Sequence, residues 1–178
     1  MSRKKAETEK HVRSKRRWPA YLVVGILILA AVLVVIPRRS SQELPPSSAA
    51  PLFKKQGEVT LLEKDGTSLV TVDVEVAEDD ATRETGLMGR PSMEERQGMF
   101  FIFEQEHRAA FWMKNTIFPL DMIFISAKNE IVTIHRSTTP YSEQTYAATA
   151  PAQYVLEVNA GFCDKFGISE GDRIIFRR

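Results

Sequence analysis

The chain has 178 residues, 43% hydrophobic and 26% charged, with three histidines and one cysteine. Its net charge of +1 hides an asymmetry, since residues 1–51 hold ten Lys/Arg against three Asp/Glu and leave 14 against 20 for the remainder. An acidic C-terminal part argues against a nucleic-acid partner, and the lone Cys163 excludes an intramolecular disulfide.

Residues 1–17 form a basic tail expected to stay in the cytoplasm. From Trp18 to Pro37 the chain reads WPAYLVVGILILAAVLVVIP without a charge, and about 20 apolar residues suffice for a helix to cross a bilayer. The run from Leu22 to Ile36 has no polar face, which argues against a buried soluble helix. It ends in PRRSS, and the first cluster of small residues, SSAAP at 47–51, lies too far on to serve as a cleavage site. The expectation is an uncleaved single-pass transmembrane helix over 18–37, with the lipid bilayer as its partner. Secretion after signal cleavage is the alternative. Eight Lys/Arg precede the segment and two follow it, while Trp18 and Tyr21 suit the interface. That bias keeps the N-terminus inside the cytoplasmic (inner) membrane and puts the C-terminal part in the periplasm or outside the cell. Residues 38–52, rich in Ser, Pro and Ala, read as a flexible tether.

The folded domain is expected over 53–178, enough for one core. EVTLLE (58–63) and SLVTVDVEVA (68–77) flank the turn KDG and predict a hairpin, with Val70, Val72, Val74 and Val76 on one face and Leu69, Thr71, Asp73 and Glu75 on the other. Asp79 or Asp80 can cap a short helix ended by Gly89 and Pro91. Strands are then predicted over 98–103, 109–114, 120–126, 130–137, 153–159 and in DRIIFRR at the end, with a second short helix in AGFCDKFG. MFFIF and MIFI are apolar on both parities, so they are expected as central strands covered on both faces. The resulting fold class is mainly β: an antiparallel sandwich or barrel-like domain with two short helices.

Two constellations stand out. If 109–114 and 120–126 form a hairpin with Lys114 opposite Asp121, alternation puts Trp112, Lys114 and Asp121 on one face. The second is Arg83, Gly86, Leu87 and Arg90, spaced to share one helix face, where two guanidiniums could clamp an anion. Alternatively both arginines pair with acids of the domain, Asp121 and Glu157 being the candidates. Glu104, Glu106 and His107 lie in a polar loop and are set aside as metal ligands, so no metal and no cofactor is expected. His135 reads as structural and Cys163 as a buried filler. Hydrolase, zinc-protease, dithiol, phosphate-loop and dinucleotide signatures are all missing.

The motifs R83-x-x-GLM-x-R90, GMFFIF, FWMKNT-x-x-PLD, YVLEVNAG and GI-x-x-GD occur in order over residues 76–176. Together they resemble domain-of-unknown-function family 192, also called uncharacterised protein family 0127. The resemblance implies a mainly β domain, often exported or membrane-tethered, with no established activity or cofactor. The function expected is binding of a small anionic or saccharide ligand, with Arg83, Arg90, Trp112, Lys114, Asn115, Asp121 and Glu157 as contacts. An enzyme using Lys114, Asp121 and Glu157 is the first alternative, and a structural or assembly partner braced by the same residues is the second.

Overall fold

The computed structural model describes residues 52–178; the predicted membrane segment and nearly all of the tether lie outside the described residues. Among the described residues, nine strands and two short helices follow in order: β1 (Gly57–Leu62), β2 (Ser68–Ala77), α1 (Asp80–Thr85), β3 (Gln97–His107), β4 (Ala110–Phe111), β5 (Leu120–Ile125), β6 (Ile131–His135), β7 (Tyr146–Ala147), β8 (Ala152–Asn159), α2 (Phe162–Phe166) and β9 (Arg173–Arg177). Among the described residues no helix is long and apolar enough to cross a membrane.

Seven strands form one sheet in the order β6-β5-β8-β3-β2-β1-β9, and β4 pairs with β7 in a separate two-stranded ribbon. The expected hairpins β1/β2 and β5/β6 are present, the latter turning at Asn129 with φ of 60°. The expected all-antiparallel arrangement is not: β2 and β3 run parallel, with Glu75 beside Met99. Parallel neighbours need a long crossover, and residues 78–96, which carry α1, supply it. The sheet is therefore mixed rather than antiparallel, and neither a sandwich nor a closed barrel forms. Its edge strands β6 and β9 approach at a single Glu130–Arg173 bridge, where Ile131 N–H donates to the Asp172 carbonyl at 2.8 Å.

A sheet covered on both faces needs two apolar layers, and both are present. One gathers Val59, Val72, Val74, Phe100, Leu156 and Ile174 with Phe162 and Cys163 of α2. The other gathers Met99, Phe101, Met122, Phe124 and Val155 under Leu87 and Met113. All six residues of β5 are buried, as expected of a strand apolar on both parities. The valines of β2 face the first layer. Glu75 and Ala77, on the opposite parity, end up buried under the crossover and against the second layer.

Candidate functional site

The second layer is not fully covered. Between α1 with its following turn and β4 with its following loop opens a cavity of about 450 Å³, whose walls include Phe101, Phe103, Phe111 and Trp112. Phe101 and Phe103 reach it because alternate residues of β3 share a face. Phe111 stands edge-on between them, its ring 4.9 Å from that of Phe101 and 6.3 Å from that of Phe103. Gly86, with φ of 46°, brings the end of α1 close to the Phe101 ring, where a Cβ would lie 3.3 Å from a ring carbon. Asn115, in the left-handed region at φ of 56°, accepts from Gly89 N–H at 2.9 Å and ties the β4 loop to the turn after α1.

Glu157 is at the floor. It sits on β8 between Met99 of β3 and Met122 of β5, on the same face as Val155, and is only 4% exposed. Neither a hydrogen bond nor an ion pair reaches its carboxyl from the described residues. Among the described residues no fully sealed side-chain oxygen or nitrogen lacks a partner, so this carboxyl is open to the cavity it lines. Burial alone pushes its pKa up to about 8, because an ion loses hydration there without a counter-charge.

Arg83, on α1, is the one cationic side chain among the lining residues. Its guanidinium donates to the carbonyls of Glu78 (2.5 Å) and Ile102 (2.9 Å) and to Asp80 (2.6 Å), and it lies 5.4 Å over the Phe103 ring. The site thus combines an aromatic wall, a spoken-for arginine and one buried carboxyl without a partner, the other lining carboxylate, Glu84, being exposed.

Residues 60–176 match the DUF192 family, described as an uncharacterized ACR. This chain is a DUF192 protein. A Sinorhizobium meliloti 1021 protein, named a "putative transcription regulator", is similar at 40% identity, 71% coverage of this chain, 96% of that chain and a TM-score of 0.66. A Novosphingobium aromaticivorans DSM 12444 protein of unknown function is similar at 32% identity, with 72% and 94% covered and a TM-score of 0.65. No curated protein matches.

The DUF192 motif residues separate into cavity, brace and surface. Arg83, Trp112 and Glu157 line the cavity. Arg90 does not: α1 ends at Thr85 because Gly86 takes a positive φ, and Arg90, past that end, pairs with the buried Glu75 instead. Its partner is therefore neither Asp121 nor Glu157, and Arg83 likewise pairs with Asp80.

The predicted Lys114–Asp121 hairpin pair does not form. β4 turns to β7, with Phe111 opposite Tyr146, a strand that sequence patterning missed because it is two residues long. Asp121 is fully buried on the other face of β5. It accepts from Ser137 N–H (2.8 Å) and Cys163 N–H (2.9 Å) and so holds β6 and α2 to the sheet. Lys114 and Asn115 are exposed, the Lys114 ammonium lying 5.0 Å from the centroid of the Trp112 ring, itself 47% exposed.

Phe101, Phe103 and Phe111 were not expected as site residues, although the alternation of Phe101 and Phe103 was visible. What was not visible is that α1 leaves them uncovered. Cys163 is buried in α2, where burial and the Asp121 carboxylate push its thiol pKa up and keep it protonated. His135 Nε2 lies 2.9 Å from the Ala147 carbonyl and ties β6 to the ribbon.

Proposed function

We propose that this protein is a membrane-tethered extracytoplasmic binding module that takes a small molecule into the cavity beneath α1, with Glu157 as the polar group at its floor. The observation that carries the reading is the Glu157 carboxyl, more than nine-tenths buried and without a partner, at the base of an aromatic-walled cavity. A buried polar group left unmatched by its own fold costs stability, and a ligand that matches it recovers that cost. Arg83 and Trp112 are its neighbours at the wall, while Arg90 and Asp121 support the fold around it and Lys114 and Asn115 lie on the loop beside it.

The tethered half of the proposal rests on the uncharged stretch 18–37 and on the excess of Lys/Arg before it. The name of the Sinorhizobium relative raises DNA binding, but 14 Lys/Arg against 20 Asp/Glu after residue 51 does not favour a phosphate-binding face. A second reading, an enzyme with Glu157 as a general acid, draws on a carboxyl that holds its proton to about pH 8. The trio Lys114, Asp121 and Glu157 does not meet in one place, so that reading rests on Glu157 alone.

The test is a thermal shift of the full chain against fractions of a cell-envelope metabolite extract, repeated with Ala110→Trp, which fills the cavity from an exposed position at its wall. A fraction that raises the melting temperature of the wild type and not of the variant supports the site. Equal responses of the two proteins would remove it. For the tether, a reporter fused after Arg178 should be active outside the cytoplasm, and activity confined to the cytoplasm refutes the orientation.

A further inference from the structure

We infer that the ligand of this cavity is an organic cation, an ammonium or quaternary ammonium group on a small apolar body, held with its charge against Glu157 and its body among the aromatic rings. The inference rests on the cavity being a binding site and names the chemistry of its occupant.

Charge is the first argument. An anion entering this cavity would meet the oxygens of Glu157, while Arg83, the lining cation, already gives its N–H groups to two carbonyls and Asp80. A cation meets an open carboxyl and, as an opposite charge beside it, favours its ionised form. The acids and bases of the surrounding elements leave that carboxyl to it. On β2, one strand beyond Met99, Glu75 is neutralised by Arg90. On β6, one strand beyond Met122, the His135 ring is engaged with the Ala147 carbonyl. From α1 come Arg83 and Glu84, opposite in sign, and from the β4 loop the exposed Lys114.

The walls give the second argument. The faces of aromatic rings attract cations electrostatically, more strongly where water is excluded. The rings of this site already do so within the chain, since Arg83 lies over Phe103 and Lys114 over Trp112.

A sugar fits less well. Its several hydroxyls each need a partner, whereas the buried lining residues are Leu87, Phe101, Thr116 and Glu157, and the Thr116 hydroxyl already donates to the Lys114 carbonyl at 3.4 Å. The anionic and saccharide ligands expected from the motifs are therefore replaced by a cationic one.

Three probes that share a ring and differ in charge decide the matter: benzyltrimethylammonium, benzyl alcohol and benzoate, titrated calorimetrically into the full chain above pH 8, where the Glu157 carboxyl is ionised. The quaternary probe should bind roughly tenfold more tightly than the alcohol, with benzoate weakest. Glu157→Gln should shrink that preference to less than about threefold, because the amide keeps the shape and removes the charge. Lys114→Met should raise affinity for the cation, where an anionic ligand would lose affinity. If Glu157→Gln fails to fold, the wild type still decides: its affinity for the quaternary probe, and not for the alcohol, should rise as pH is taken up through about 8, since the cation needs the ionised carboxylate. Failure of the quaternary probe to bind overturns the inference. So does binding of benzoate or benzyl alcohol as tight as that of the cation. Should the latter binding disappear in Ala110→Trp, the cavity remains a binding site for another class of ligand. If no probe and no extract fraction distinguishes wild type from Ala110→Trp, the binding-site reading falls with it.

Discussion

Three buried acids show how differently one fold treats a carboxylate. Asp121 is stabilised by two backbone N–H groups, Glu75 by Arg90 and the Lys54 N–H, and Glu157 by nothing of the fold's own. The last makes a clear demand on stability. Its folded pKa of about 8 lies above the ordinary glutamate value of 4.5, so between those values the native state holds a proton that the unfolded chain has lost. Stability therefore falls as pH rises through this window and stays low above it. Glu157→Gln should raise stability by a few kcal/mol above pH 8, and much less near pH 4. Urea unfolding of both proteins at the two pH values checks this, and an equal difference at each would mean the carboxyl is not the source. Arg90 predicts the opposite sign. Its side chain and that of Glu75 are about nine-tenths buried, so Arg90→Met strands a buried carboxylate and should cost about 3–5 kcal/mol, whereas adding Glu75→Gln should recover a good part of it. A double-mutant cycle reads the coupling directly.

At the scale of elements, the crossover between β2 and β3 decides the site. Asp79 caps α1, accepting from Thr82 N–H at 2.9 Å, and the Thr82 hydroxyl accepts in return from Asp79 N–H at 3.3 Å. A six-residue helix has few hydrogen bonds of its own and depends on such a cap. Asp79→Ala should therefore cost about 1 kcal/mol and Asp79→Asn only a few tenths, measured by chemical denaturation. The cap was legible in the sequence, as were all the longer strands and the two-sided burial of β3 and β5, because each is written in local periodicity. The direction of β3 was not. Whether a strand after a helix pairs parallel or antiparallel depends on where its apolar faces find partners across the whole sheet. Nor was the partner of β4 legible: its two residues make ladder bonds only with Tyr146 and Ala147, some 35 positions away. A strand running on to Lys114 would bring Lys114 opposite Asp121, but β4 stops at Phe111. Of the candidate contacts, Arg83, Trp112 and Glu157 come together because they sit on three elements that the fold brings to one face. Spacing along the chain carried no sign of that convergence.

For the whole molecule, the main consequence is that one sheet supports two apolar layers. Strands β3, β5 and β8 contribute Phe100, Ile123 and Leu156 to one layer and Phe101, Phe124 and Val155 to the other. Loss of either layer removes half the burial of these shared strands, and the layers should fail together, as expected of a small single domain. The open cavity lies in the second layer, and a layer left partly uncovered is where local opening would begin. Trp112 makes the distinction measurable. It is the only tryptophan in the described domain, the other being Trp18, and it stands at the cavity wall. In a fragment spanning 52–178, the denaturant transitions followed by Trp112 fluorescence and by far-UV circular dichroism should coincide, with m-values equal within error. A fluorescence transition at lower denaturant would show that the β4 loop and α1 detach before the sheet unfolds. The cavity would then be a hinged cover instead of a fixed wall, and benzyltrimethylammonium, by holding the cover down, should bring the two transitions back together.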